Sequence, residues 1–214
     1  MMEDVPLKIL LQAVASRIPC GLEEIQMQQI QKFVDMLVHW NEAFNLTAVR
    51  SVEEILVKHV LDSLSVREHV SYPLLDVGTG GGFPGVVLAI VAPERSITLL
   101  DSNGKKVRFL KQCVHELRLD RVHVVHSRIE SIKKEQFPCI VSRAYASLDL
   151  MAHSCQHVLS PDGEMVAMKG KYPENELRAL PDDIIAVDIK RVEVPFLQEE
   201  RHIVRMKIRH RGSE

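Results

Sequence analysis

The 214-residue sequence predicts an α/β protein: an open, mostly parallel sheet covered by helices, ending in an antiparallel hairpin and preceded by a helical extension. Three observations predict it. Apolar residues recur at helical spacing through the first 70 positions. After Pro73, short apolar runs alternate with longer amphipathic stretches. The first of those runs leads directly into a glycine-rich turn.

Leu22, Ile25, Ile30, Phe33, Val34, Leu37 and Val38 form an apolar stripe, so a helix is expected over 22–42. Ser51-Val52-Glu53-Glu54 has the capping-box form, in which hydroxyl and carboxylate each satisfy an orphan amide. Ile55, Leu56, Val60, Leu61 and Leu64 continue that second helix until Ser71-Tyr72-Pro73 ends it. Asn45 and Arg50 stand either at a helix-terminating turn or over a ligand, and His59 and Asp62 read as an interface to the sheet. Strands are then expected at 74–77, 97–100, 122–125, 139–142 and 165–168, with helices at 84–92, 104–118 and 148–158. Two β-rich runs, 184–194 and 201–209, are joined by a short loop and give the edge hairpin. The domain reading is a helical extension over 1–70, packed on a sheet domain over 71–214.

Hydrophobic residues make up 46% and charged residues 26%, which excludes a wholly disordered chain. No apolar run approaches the ~20 residues of a membrane span. The acidic start MMEDVPLKILL lacks an export-signal pattern, and four scattered cysteines without a C-x-x-C read as reduced thiols, so a cytoplasmic protein is expected. The net charge of -2 hides an uneven distribution. Residues 104–134 carry 9 basic and 3 acidic side chains, and 201–214 carry 5 and 1. These segments suit either a polyanion or ordinary solvated faces.

The segment Leu74-Leu75-Asp76-Val77-Gly78-Thr79-Gly80-Gly81-Gly82-Phe83-Pro84-Gly85 holds the chemistry. Four glycines in five positions let a ligand lie against the backbone. Gly80, Gly82 and Gly85 match the dinucleotide fingerprint literally, but its first glycine should follow the strand at Gly78. In that register Phe83 falls where close helix–strand packing is needed. The alternative is Asp76 followed by Gly78, Gly80 and Gly82. A carboxylate at the strand end repels a pyrophosphate and suits an amino-acid ammonium. S-adenosyl-L-methionine carries that ammonium, a sulfonium and no phosphate, so the electrostatics favour it over NAD. Asp101, at the end of the second run, suits ribose hydroxyls or the N-cap of the next helix. Glu130 suits an adenine edge or a first helical turn.

The chain resembles the glucose-inhibited division protein B family of small-subunit ribosomal RNA methyltransferases. The resemblance rests on Trp40-Asn41, Asn45-Leu46-Thr47-Ala48-Val49-Arg50, Lys58-His59, Asp62-Ser63-Leu64 and the glycine segment. It continues with Leu99-Leu100-Asp101-Ser102, Lys105-Lys106, Ser142-Arg143-Ala144, Met168-Lys169-Gly170 and Glu200-Arg201-His202-Ile203-Val204. It implies a Rossmann-like methyltransferase fold with a helical N-terminal extension. It also implies methylation of a guanine N7 in the decoding region of 16S ribosomal RNA, giving 7-methylguanosine. The family's cofactor contacts fall on Gly78, Phe83, Ile129, Glu130 and Arg143, and the residues themselves add Asp76, Gly80 and Asp101.

The chemistry fits without the name. Base-amino methyltransferases carry an Asn/Asp-Pro-Pro-aromatic turn after the fourth strand. Here Ser142-Arg143-Ala144-Tyr145 stands there instead. Guanine N7 offers a lone pair and no proton, so alignment is needed and no catalytic base is expected. Lys169, Arg201, His202, Lys105 and Lys106 are expected to face RNA. The expected partner is 16S RNA or the small ribosomal particle, met by a monomer with no membrane contact. His153-x-x-x-His157 lacks the glutamate of a metalloprotease helix, so no metal is expected. Two other readings stay open: a methyltransferase for a small molecule or protein, and a non-catalytic RNA-binding module. A dehydrogenase ranks last.

Overall fold

The first strand, β1 (Leu74–Val77), lies near the middle of a seven-stranded sheet and is buried along its whole length. The computed structural model describes residues 21–144 and 146–209. Around β1 stand β2 (Ile97–Asp101), β3 (Val122–His126), β4 (Phe137–Arg143), β5 (Leu159–Lys169), β6 (Ile184–Val192) and β7 (Arg201–Ile208), in the order β3-β2-β1-β4-β5-β7-β6. The first five are parallel. β7 pairs antiparallel with both β5 and β6, so the hairpin closes one edge as the two β-rich runs predict. Strand order reverses between β1 and β4, which opens a crevice at their carboxyl ends.

Successive residues of each central strand face opposite layers. Leu74, Cys139, Val141, Val166 and Met168 point into one core with the N-terminal helices. Leu75, Val77, Ile140, Met165 and Ala167 point into the other, closed by α6 (Leu148–Cys155). The first core holds α1 (Glu24–Phe44), α4 (Gly85–Val91) and α5 (Gly104–Glu116). Every residue of α4 is buried, which explains its unbroken apolar sequence: it is trapped between the sheet and α1.

α1 ends at Asn45, whose left-handed φ of 49° closes the helix. Arg50 donates to Asn45 Oδ1 at 2.8 Å, so the pair forms the helix-terminating turn. The next helical stretch is not uniform. α2 (Val52–Ile55) passes into a π-helical turn, Leu56–Leu61, before α3 (Asp62–Ser65). The Ser51 hydroxyl caps α2 by accepting from Glu54 N–H at 3.1 Å. The apolar spacing predicts one plain helix here. Within this wider turn the Lys58 carbonyl accepts from Arg143 Nη1 at 3.0 Å. One further helix, α7 (Glu174–Arg178), has no counterpart in the sequence reading because its five residues carry too few apolar positions to show a period.

Candidate cofactor cleft and arginine cluster

Asp76 shapes the glycine turn from beneath. It is 0% exposed, and its Oδ2 accepts from Thr79 Oγ1 at 2.6 Å and from Gly85 N–H at 2.7 Å. Its Oδ1 is buried without a partner. Burial pushes the carboxyl up to about 6, against the bonds from Thr79 and Gly85 and the charge of Arg143. Gly78, Gly80 and Gly82 take φ values of 68°, 62° and 93°, a region where a side chain is strained. Gly85 matters for a different reason: a Cβ there would lie 2.2 Å from Leu99 Cδ2 and 2.6 Å from Asp76 Oδ2.

The turn is tied to β2. Gly80 N–H donates to Asp101 Oδ2 at 3.0 Å, and Asn103 N–H donates to Asp101 Oδ1 at 2.8 Å. Lys106 Nζ stands 3.9 Å from Asp101 Oδ2. The N-cap of α5 is Asn103, which accepts from Lys105 N–H, and not Asp101. A cavity of about 410 Å³ opens above, walled by Gly78, Asp101, Lys106, Ile129, Glu130 and Ala144 among others. That is the size of a small-ligand site. A second cavity of about 650 Å³ lies between Leu61–Ser65 and residues 191–200 and shares no residue with the first.

Of the expected cofactor residues, Gly78, Asp101, Ile129 and Glu130 reach this wall, and Gly80 turns its amide to Asp101. Asp76, Phe83 and Arg143 do not line it. Asp76 acts under the turn, and Phe83 is buried with its ring 5.2 Å from Phe33 and 4.8 Å from His59. The residues present fit S-adenosyl-L-methionine. Asp101 and Glu130 place carboxylates where a pyrophosphate would be repelled, Gly78 offers open backbone, and the orphaned Asp76 Oδ1 leaves a negative centre below the turn.

Beside the cleft lies a charge cluster that local sequence does not reveal. Asp62, almost fully buried, accepts from Arg143 Nη1 through Oδ2 at 3.1 Å and from Arg201 Nε through Oδ1 at 2.9 Å. The Arg143 guanidinium stacks 5.0 Å from the Phe83 ring centre. Burial lowers the Arg143 pKa, and Asp62 offsets part of that. His59 Nε2 meets Thr47 Oγ1 at 2.7 Å and Nδ1 meets the Lys58 carbonyl at 3.0 Å. Burial, then the Arg143 charge, hold the imidazole down to about 4, so it is neutral at pH 7. Asn41 accepts from Thr47 N–H at 2.9 Å. His59 and Asp62, which the sequence offers as an interface to the sheet, are thus neighbours of the cleft. The available signal was polar residues set on an otherwise apolar helical face.

Three of the residues expected to face RNA have partners within the chain. Arg201 is held by Asp62. His202 is buried, with Nδ1 2.8 Å from the Gly170 carbonyl. Lys169 donates to Glu176 Oε2 at 2.7 Å and to the Ala146 carbonyl at 2.9 Å. Each of these side chains is held by a partner from another part of the fold. Lys105 and Lys106 do stand at the start of α5, Lys105 exposed and Lys106 on the cavity wall. Tyr145 and Cys20 lie outside the described residues; Cys113, Cys139 and Cys155 are free and buried. No helix among the described residues is long and apolar enough to cross a membrane.

The chain is similar to known proteins. A family model described as rRNA small subunit methyltransferase G matches residues 26–204. A Cronobacter sakazakii protein named "Ribosomal RNA small subunit methyltransferase G" is 47% identical over 188 residues, 87% of this chain and 91% of that protein. A Vibrio cholerae protein of the same name is 44% identical over 202 residues, 93% of this chain and 96% of that protein. Among solved structures, a SAM-dependent methyltransferase from Aquifex aeolicus superimposes with a TM-score of 0.58 at 18% identity, covering 72% of this chain and 93% of that one. One from Thiobacillus denitrificans, in complex with S-adenosyl-L-homocysteine, gives 0.51 at 11% identity, covering 70% and 91%. At such low identity these two show the fold, which is the Rossmann-like methyltransferase fold. The family match spans both the glycine turn and the arginine cluster, and the chain belongs to the rRNA small subunit methyltransferase G family.

Proposed function

We propose that this protein methylates a guanine N7 of 16S ribosomal RNA in the decoding region, using S-adenosyl-L-methionine, with the RNA free or in the small-subunit particle as its substrate. The observation that carries the reading is the cleft at the β1–β4 crossover: a carboxylate-lined cavity on the glycine turn, next to the cluster that joins the family's motif residues. When bound, the cofactor supplies an electrophilic methyl on its sulfonium.

The chain's own residues then bind and align. Asp101 and Glu130 would accept hydrogen bonds from the nucleoside, and Gly78 would let it approach the backbone. Asp76 holds the turn in shape through Thr79 and Gly85. Guanine N7 brings its own lone pair, so no side chain has to take a proton, and the rate comes from approach and alignment. His59, neutral and bonded at both nitrogens, is spent on structure. Lys105, Arg108 and Lys111 have no carboxylate partner among the described residues and extend a basic surface from the cavity rim, where phosphates would lie. The decisive experiment is tritium transfer from labelled cofactor to naked 16S RNA and to assembled small subunits, with mapping of 7-methylguanosine in cells with and without the gene. Label only in a protein or a metabolite overturns the reading.

A further inference from the structure

We infer that Tyr172, together with Lys171, is a stacking platform for an unpaired base of the RNA substrate, an inference that rests on the function proposed above. The two residues follow β5, whose last residue Lys169 is bonded to the Ala146 carbonyl at 2.9 Å. Glu176 closes the same segment from the other end: its Oε2 accepts from Lys169 Nζ and from Leu148 N–H, each at 2.7 Å. The loop 170–173 is therefore pinned at both ends, against Ala146 and Leu148, and Ala144 is part of the cavity wall. The cavity's other named walls come from the ends of β1 and β2, the start of α5 and the turn after β3.

Tyr172 is 53% exposed although it is one of only three tyrosines in the chain. Its ring is nevertheless held. It meets the His202 ring at 85° with centroids 5.7 Å apart, and His202 is fixed in turn by the Gly170 carbonyl at 2.8 Å. An aromatic ring immobilised at low entropic cost and left half open suits a nucleobase, since every base presents a π-face. Lys171 beside it is exposed and has no ion-pair partner among the described residues, so its charge is available to the phosphate that accompanies a stacked base. Sequence-specific RNA recognition works mainly on unstacked, single-stranded bases, which a duplex would withhold.

The test is steady-state methylation of small subunits by the full chain carrying Tyr172→Leu, Tyr172→Phe or Lys171→Ala, with S-adenosyl-L-homocysteine affinity measured alongside. Tyr172→Leu should raise KM for the RNA substrate by about 10-fold, the effect of one lost base stack, while affinity for S-adenosyl-L-homocysteine stays within twofold. Tyr172→Phe keeps the ring and should stay near wild type; Lys171→Ala should weaken binding mainly at low salt. Wild-type KM in Tyr172→Leu overturns the inference and leaves the proposed function standing. So does an equal loss in Tyr172→Phe, which would make the hydroxyl the contact. Absence of RNA methylation by the wild-type chain brings down both.

Discussion

Asp62 holds Arg143 across 81 residues of sequence, with Nη1 donating to Oδ2 at 3.1 Å, and its other oxygen holds Arg201. A single buried carboxylate thus ties α3 to the ends of β4 and β7. It fixes the helical extension against the mouth of the crevice. Removing it leaves two largely buried guanidinium groups without their shared anion. Asp62→Ala should destabilise the fold by about 3 kcal/mol, read as a drop in the urea midpoint. Asp62→Asn, which keeps an acceptor, should lose less. An Asp62→Ala protein as stable as wild type would show that the arginines find other partners.

His59 and Asp76 pull stability in opposite directions over the same pH range. His59 is held down to about 4 in the folded chain. Between that and its ordinary value near 6.5, the unfolded chain binds a proton that the folded one rejects. Its contribution is present above pH 6.5 and lost as pH falls toward 4. Asp76 is raised to about 6 from an ordinary 3.8. Its contribution is present below pH 3.8 and lost as pH rises through 6. Urea unfolding at pH 4.5 and 6.5 separates them. Relative to wild type, Asp76→Asn should gain more stability on going up in pH, and His59→Gln should gain less. Variant and wild-type profiles that run parallel would contradict both assignments.

Gly85 and Gly80 should fail for different reasons. A Cβ at Gly85 strikes Leu99 and Asp76, so Gly85→Ala should cost about 1–3 kcal/mol of stability through overpacking. At Gly80 the nearest atoms to a Cβ are 3.8 Å away, so only the left-handed backbone resists, at about 1–2 kcal/mol. Thermal unfolding of both variants checks the order, which a more stable Gly85→Ala would reverse.

Asp101 is the wall residue whose loss should weaken the cofactor most directly. Asp101→Ala removes a charged acceptor, worth about 1.5–3 kcal/mol per bond. It also releases the Gly80 amide. Calorimetry should find S-adenosyl-L-homocysteine binding weakened by about 10-fold or more. Unchanged affinity would take Asp101 out of the cofactor site.

Lys105 should act on RNA alone. Its ammonium sits 5.7 Å over the Phe44 ring at the exposed start of α5. Lys105→Ala should lower the slope of log affinity against log salt by roughly 0.7–0.9 if it meets one phosphate. S-adenosyl-L-homocysteine affinity should not move. A salt slope equal to that of wild type would remove Lys105 from the RNA surface.

Much of this was legible in the residues themselves. Asp76, Gly78 and Asp101 lie where a strand end, a left-handed turn and the next strand end had to be, because strand period and glycine spacing are local properties. Glu130 follows from the same register one strand further on, and Ile129 beside it came from the family resemblance. The π-helical turn at Leu56–Leu61 was not legible, since its apolar residues fit an ordinary helix equally well. The partners of Lys169, Arg201 and His202 were not legible, since what a cation pairs with depends on what folds against it.

The sequence by itself determined the alternation of strands and helices, the edge hairpin, the turn that can accept a nucleoside and the family to which these motifs belong. Only the tertiary structure decided which charged groups remain open to a ligand. Asp62 meets Arg201 from 139 positions away, and Glu164 meets Arg205 from 41. Burial of each such pair is favourable only when both partners arrive together. That coincidence is a property of the packed chain, written in no local stretch of it.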